Sequence, residues 1–479
     1  MRPARILLFI VMVFTLLACL SVFYPQPGIE VCGLTLRFAS PQRALGPSHR
    51  SGATAADRLR EVEATMHAHV DSAALADSLR EADTLRYYTD FFERSPARIS
   101  CPGNDHTFFD AFFDRLDNAR TRPVDIFHYG DSQIEGDRIS GSLRRRLQSR
   151  FGGNGPGVVP AVQLIPQAGF VQTASDTLTS FFGGGMMGRR SPTRRYGVVA
   201  QQVAFDSPSD TVRLSFATRH GRGFRHVTLF AGCVDSSLRA HLTTDAGSMG
   251  RRSLGTATRL QTMTWSWDRP ATRFDIDLCG RAEIYGLSID VGRGVSLTNV
   301  PLRGSDGTFF TRMDAENLRS MFDCFDVGML ILEFGGNALP ILSDTADVER
   351  YCQGFGRQID LMHRLCPEAT ILVIGPADMS VKVDGELQTH PLLEPLIDRM
   401  REVTLEGGAA FWNMYEVMGG RNSMPVWVDN KPAWAAPDYI HFTSKGAARI
   451  ADVLWQTLMM YYDYKSLKNV SGNNHQACD

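Results

Sequence analysis

The chain has 479 residues, 43% of them hydrophobic and 21% charged, a globular composition that argues against wholesale disorder. Its formal net charge of −2 provides no basic footprint for nucleic acid. Nine cysteines are scattered, with no Cys-x-x-Cys pair and no Cys/His cluster at zinc spacing, so no structural metal is expected. Cys233 and Cys279 fall in one predicted β region and would pair only in an oxidising compartment.

In chain order, Arg2 and Arg5 precede residues 6–23, an uncharged apolar run. A membrane span needs roughly 17–25 residues, and flanking basic residues stay cytoplasmic. The spacing therefore predicts a signal anchor over residues 1–24, a lipid bilayer as partner, and a remainder exported to the periplasm or another extracytoplasmic space. Leu16-Leu17-Ala18-Cys19 also resembles a lipobox, which would make the chain a lipoprotein at Cys19, and a cleaved signal peptide is the third route. Residues 25–100 are expected to form a juxtamembrane stalk, partly helical, with Leu59, Val62, Met66 and Val70 at helical spacing.

An amphipathic helix is predicted over residues 105–120, with Phe108, Phe109, Phe112 and Leu116 on one side. It leads into a buried strand from Val124 that ends at Gly130. Helical spacing resumes with Ile134, Ile139, Leu143 and Leu147. Ser132 stands between strand and helix, which would put its hydroxyl at the positive end of a helix, a place suited to a nucleophile. A simple helix cap is the competing reading, because Ser and Asp are preferred caps.

From residue 164 to 287 the texture changes to apolar/polar alternation, as in 211–216 and 274–278, broken by frequent turns. This predicts an inserted antiparallel β domain, sandwich-like, over residues 165–290. Trp265 and Trp267 share one strand face there, as core or as a sugar-stacking platform. Strands at 295–300, 327–334, 370–374 and 409–412 then alternate with helices at 314–322, 345–366, 392–405 and 444–460, and residues 466–479 read as a disordered tail. Alternating strands and helices imply a parallel sheet with helices on both faces. The fold class is α/β, with the parallel-sheet domain split over residues 101–164 and 291–465.

Four short stretches follow predicted strands or precede the last helix: Gly130-Asp131-Ser132, Gly304, Gly335-Gly336-Asn337 and Asp438-Tyr439-Ile440-His441. Ligands of open α/β sheets bind beyond the carboxyl ends of the strands, so these stretches can converge there. A Ser132 nucleophile needs a base, which His441 can supply, while Asp438, three residues earlier, can fix the ring tautomer. The backbone N–H groups of Ser132 and Gly304 and the amide of Asn337 are candidate oxyanion donors. His128 alternates in the strand and reads as packing or as a support behind the nucleophile rather than as the base. Glu135 and Asp137, two apart, diverge on a helix and do not make a glycosidase carboxylate pair.

At these four blocks the chain resembles the SGNH (GDSL-like) esterase superfamily. The resemblance covers about residues 105–165 and 291–462. It implies a three-layer, flavodoxin-like α/β/α hydrolase with a Ser132–His441–Asp438 triad and an oxyanion hole of Ser132, Gly304 and Asn337. It implies an acyl-enzyme route with no cofactor. The interrupting β region further resembles bacterial peptidoglycan O-acetylesterases of this superfamily, with an O-acylated glycan as substrate and the β domain as a carbohydrate-binding-like module. Asp131 and Arg303 are accessory candidates. The rival expectations are an O-acyltransferase with the same triad and a non-catalytic glycan-binding envelope protein.

Overall fold

The computed structural model describes residues 29–31, 34–36, 54–75, 81–175, 178–186, 188–219, 223–383 and 385–476. The anchor expected over residues 1–24, and Cys19 with it, lies outside them. Among the described residues no helix is long and apolar enough to cross a membrane. The chain divides into two units at Thr54. In the first, Ile29–Val31 pairs antiparallel with Leu34–Leu36.

The centre of the second unit is a mixed six-stranded sheet. Strands β1 (Pro123–Gly130), β2 (Gly294–Pro301), β3 (Val327–Glu333), β4 (Thr370–Ile374) and β5 (Ala410–Trp412) run parallel in the order β2-β1-β3-β4-β5. A short antiparallel edge, Ile99–Ser100, completes it beside β5. Every residue of β3 is buried, as a parallel strand covered on both faces requires. The two-residue period sorts the side chains into two layers. Val124, Ile126, Met329, Ile331, Leu372 and Ile374 pack on one side against α1 (Ser140–Phe151) and the closing helix. Phe127, Tyr129, Leu330, Leu332, Ile371 and Val373 pack on the other against α2 (Ala315–Phe322), α3 (Thr345–Leu365) and α4 (Leu393–Glu406). Each such side chain contributes about 1.5–3 kcal/mol by leaving water.

The register aligns the strand ends. Pro301 pairs with Gly130, Gly130 with Glu333, Glu333 with Ile374, and Ile374 with Trp412. The loops that leave these ends therefore share one rim of the sheet.

Nine strands from Gly157 to Asp290 lie in sequence between the adjacent strands β1 and β2 and form a separate antiparallel sheet. The sheet begins earlier than residue 165, because Gly157–Val159 pairs with Leu287–Ile289. Its spine is the 18-residue strand Arg273–Asp290, which exchanges partners along its length: Val234–Thr244 first, then Phe224–Gly232. The register shifts at Gly280 and Gly286 permit the exchange. At Gly280 φ is +135°, and an added Cβ would sit 2.2 Å from the Ser237 carbonyl oxygen, so glycine alone fits. The two halves close on a shared core in which the rings of Phe216, Phe224 and Phe274 meet with centroids 5.3–5.7 Å apart.

Of the two readings open for the tryptophans, core is the one the structure matches, and three other expectations need correction. Trp265 is buried, with its indole N–H on the Gly250 carbonyl, and Trp267 packs against the same core, so neither makes an open stacking platform. Cys233 and Cys279 stand as free thiols. Gly232 pairs with Glu283, four residues along the strand from Cys279, about 13 Å at a strand's rise and beyond disulfide reach. The stretch expected as a stalk contains helices Ala55–Leu75 and Glu81–Arg94, and Leu59, Val62, Tyr88, Phe91 and Phe92 are buried in the sheet's core rather than left in solvent. The closing helix α5 (Ser444–Gln476) continues through the residues expected as a tail, and Lys465 ties it to Asp114 and Asp117.

Candidate active site

The β1 strand ends at Gly130, and Asp131 opens a tight turn instead of a regular helix. Residues Ser132–Asp137 are 3-10, broken by Glu135 and by Gly136 with φ of +65°, and α1 begins only at Ser140. Ser132 thus sits on a sharp bend just past the strand. The hydroxyl is partly exposed there, unlike its strand-bound neighbours.

The loop before α5 brings the second group. Tyr439 takes φ of +58°, and the Asp438 carboxylate accepts the Ile440 and His441 backbone N–H groups, each at 3.0 Å. This closes Asp438–His441 into a turn that puts carboxylate and ring side by side. His441 Nδ1 lies 2.7 Å from Asp438 Oδ2, and His441 Nε2 lies 2.8 Å from Ser132 Oγ. Burial alone would raise the Asp438 carboxyl, but the hydrogen bonds from His441 and Ile440 outweigh it and hold the group below the usual carboxylate value. An ionised Asp438 selects the tautomer with a proton on Nδ1, which leaves Nε2 as the acceptor for the Ser132 hydroxyl.

Asn337 comes from the loop after β3, where Gly335 at φ +118° starts the turn Gly336–Ile341. Its Nδ2 donates to Asp131 Oδ2 at 2.8 Å, and Asp131 Oδ1 accepts the Gln133 N–H at 2.9 Å. Asp131 is 6% exposed. Burial, reinforced by the charge of Glu333 and only partly offset by the Gln133 N–H, raises its carboxyl to about 7.

Two residues that motif spacing does not single out bind the Ser132 turn to the histidine loop. Gln133 donates to the Ile440 carbonyl at 2.7 Å and accepts the Phe442 N–H at 3.2 Å. Arg138 donates to the carbonyls of Ser132, Phe442 and Glu135 at 2.6, 2.7 and 2.9 Å. Beneath the site, His128 is buried between Glu333, 3.0 Å from Nε2, and Ser140, 2.8 Å from Nδ1. Motif spacing carries no signal for the bonds that Gln133, Arg138 and Glu333 make across the chain, since their partners at Ile440, Phe442 and His128 lie more than 200 positions away.

Ser132, Asn337 and His441 line one cavity of about 140 Å³, walled further by Phe334, Pro376 and Ile440. Gly304 does not line it. Leu302 and Ser305 close a turn around Gly304, φ +72°, and Met186 lies so close that an added Cβ would meet its Cγ at 2.4 Å. The motif-based expectation of Gly304 as an oxyanion donor is therefore not matched by its placement. Arg303 is engaged in a bidentate pair with Glu135, at 2.5 and 2.6 Å, rather than facing the cavity. Asp137 pairs with Arg144, so the two carboxylates of this turn diverge as expected. Among the described residues no cluster of three or more His, Cys, Asp or Glu is placed to hold a metal ion.

A hydroxyl, an imidazole and a carboxylate stand in a hydrogen-bonded row at the carboxyl rim of a parallel sheet covered by helices, a geometry able to activate a serine for nucleophilic attack. No family model matches the chain, and no curated protein matches it. Among solved structures it is similar to a peptidoglycan O-acetylesterase, with a TM-score of 0.59 and 22% identity over 74% of this chain and 96% of that one. A family two carbohydrate esterase from Cellvibrio japonicus matches at a TM-score of 0.24 and 11% identity, over 62% of this chain and 98% of that one. A putative GDSL-like lipase from Parabacteroides merdae matches at 0.25 and 15%, over 35% and 74%. The first likeness carries the assignment: the chain has the SGNH hydrolase fold.

Proposed function

We propose that the protein is a serine esterase that removes short O-acyl groups, acetyl above all, from a carbohydrate of the cell envelope. The observation that carries this reading is the row Asp438–His441–Ser132, at 2.7 and 2.8 Å, with the Asn337 amide in the same cavity. Ser132 Oγ attacks the ester carbonyl while His441 Nε2 takes its proton. The carbonyl oxygen, now an anion, is held by the Ser132 backbone N–H and the Asn337 amide. The tetrahedral intermediate collapses, the C–O bond to the sugar breaks, and His441 returns the proton to the departing oxygen. Water, deprotonated by the same imidazole, then attacks the acyl-enzyme and releases the free acid. The role of the Asp438 carboxylate is to orient the ring and stabilise the imidazolium.

The size of the cavity supports a small acyl group. About 140 Å³ falls below the roughly 300 Å³ at which pockets for drug-sized ligands begin. Solvent access supports hydrolysis over transfer to a second sugar. The side chains of His441 and Asp438 are 37% and 47% exposed, so water reaches the acyl-enzyme freely. The fold likeness to a peptidoglycan O-acetylesterase favours an envelope glycan as substrate. The apolar run over residues 6–23, preceded by Arg2 and Arg5, supports export and anchoring on the outer face of the cytoplasmic membrane. In that setting the antiparallel domain would hold the glycan near Ser132.

The test is acetate release from O-acetylated peptidoglycan. The wild type liberates acetate and leaves the de-O-acetylated glycan, and Ser132→Ala does not. Acyl groups found on an added acceptor glycan instead of in solution would replace the hydrolase reading by the transferase one.

A further inference from the structure

On α1, away from the catalytic rim, two cavities meet. One, of about 320 Å³, lies between α1 and the antiparallel domain and is lined by Arg145, Gln148, Ser149 and Phe216 among others. The other, of about 430 Å³, lies between α1 and α5 and is lined by Ser142, Arg145, Arg146, Ser149, Arg150 and Trp455. Arg145 and Ser149, one turn apart on α1, line both, so the two cavities flank the same stretch of the helix. Each alone is within the size range of ligand sites, roughly 300–1,000 Å³.

The charge along this stretch is unbalanced. Arg146 is paired with Asp452, and Arg150 with Asp463 at 3.5 Å, while Arg150 also stands 4.8 Å from the Tyr462 ring centroid. Arg144, on the buried side of the helix, is committed to Asp137. Arg145 is exposed, and its guanidinium reaches the Ser142 hydroxyl at 3.4 Å. Among the described residues no carboxylate lies within ion-pair distance of it. Of the four arginines that line the two cavities, Arg144, Arg146 and Arg150 are thus answered and Arg145 is left over. Beside them Trp455, half-buried against the core, offers part of its indole as a wall.

We infer that this stretch of α1 is a second, non-catalytic binding site for an acidic polysaccharide. A pyranose ring has an apolar C–H face that packs on an indole and a rim of hydroxyls that bond Ser and Gln side chains. A carboxylate on that ring meets the planar fork of Arg145 in bidentate geometry. A nucleic acid would need a broadly basic surface, which a chain of net charge −2 lacks. The site holds a polymer on the enzyme while the catalytic cavity works on another part of it. It stands independently of what Ser132 does.

Affinity electrophoresis of the full chain tests this, in gels holding polygalacturonate, hyaluronate or neutral dextran. The wild type is retarded by at least one acidic polymer and not by dextran, and the retardation fades as salt rises. Arg145→Gln weakens the retardation at least fivefold, and Trp455→Ala does the same, while Trp455→Phe retains most of it. Hydrolysis of p-nitrophenyl acetate stays at the wild-type rate in Arg145→Gln, which shows that the fold is intact. Arg145 is exposed, so its variant keeps the test decisive if Trp455→Ala fails to fold. No retardation by either acidic polymer, or equal retardation of wild type and Arg145→Gln, overturns the inference.

Discussion

Asn337 is held by Asp131: its Nδ2 donates to the Asp131 carboxylate at 2.8 Å, from a loop on the neighbouring strand. A side-chain amide can present either its oxygen or its nitrogen, and an oxyanion is bonded only by the nitrogen. With one Nδ2 hydrogen fixed on Asp131, the other is free for the cavity, and the carbonyl end is turned away from the acceptor carboxylate. The residue before the nucleophile thereby sets the polarity of the amide that faces it.

The first prediction follows. In Asp131→Asn, one of the two acceptor oxygens becomes an NH2 group, and the amide of Asn337 loses its fixed sense. We expect kcat for p-nitrophenyl acetate to fall about 10- to 100-fold with KM little changed, somewhat less than the 10²–10³ typical of deleting an oxyanion donor outright. Asn337→Ala sets the lower bound, and the double variant should be no worse than Asn337→Ala, because both act through one amide. Steady-state kinetics on the three variants decide it.

The same carboxylate predicts a pH dependence of stability. Its value is raised from 3.8 to about 7 by burial and by Glu333, so between those limits the native state holds a proton that the unfolded chain has released. The stabilisation from this group is complete below pH 3.8 and is lost as pH rises through about 7, on the order of 4 kcal/mol at most. Melting temperature measured from pH 4 to pH 8 should show this falling contribution. In Asp131→Asn the curve should be flatter over that window, and an unchanged slope would remove the group from the account.

Asp438 is ordered by local bonds and is 47% exposed, so its loss costs little stability. Its effect is on chemistry. Asp438→Asn turns an acceptor toward His441 into a donor or a neutral acceptor and favours the wrong ring tautomer, and kcat should fall by about 10²–10⁴. The melting temperature should move by no more than a few degrees.

Gln133 bonds the histidine loop at both ends of its amide, to Ile440 and Phe442. Gln133→Ala leaves the buried Phe442 N–H and the more exposed Ile440 carbonyl unpaired, and a buried group left so costs about 1–3 kcal/mol. We expect a loss of about 1–3 kcal/mol in denaturant unfolding, together with a fall in kcat of roughly tenfold as His441 loses its register with Ser132. Gln133→Glu, which keeps the acceptor for Phe442 alone, should lie between the two.

Much of the frame is legible in the sequence because it rests on short-range signals. The apolar runs around Ile126, Leu330 and Leu372 are strands buried on both faces, and their hydrophobicity alone marks them. The spacing of Ser132, Asn337, Asp438 and His441 identifies residues that the aligned strand ends bring to one rim. Other features depend on partners far along the chain. The Gln133 bonds, the Arg138 bond to Phe442 and the Glu333–His128 pair leave no local pattern, and the helical spacing around Val62 does not say what that face packs on. The late start of α1 is an intermediate case: Glu135-Gly136-Asp137 is a turn-like triplet, but the apolar stripe from Ile134 to Leu147 masks it. Gly304 shows the limit of a one-residue motif, since a glycine of the right order stands outside the cavity.

The central claim is that Ser132 is the nucleophile, and labelling with a fluorophosphonate tests it most directly. The account predicts one adduct per chain, mapped to the peptide carrying Ser132, with esterase activity lost in step with labelling and no adduct in Ser132→Ala. An adduct on a different residue, or full esterase activity in Ser132→Ala, would contradict it.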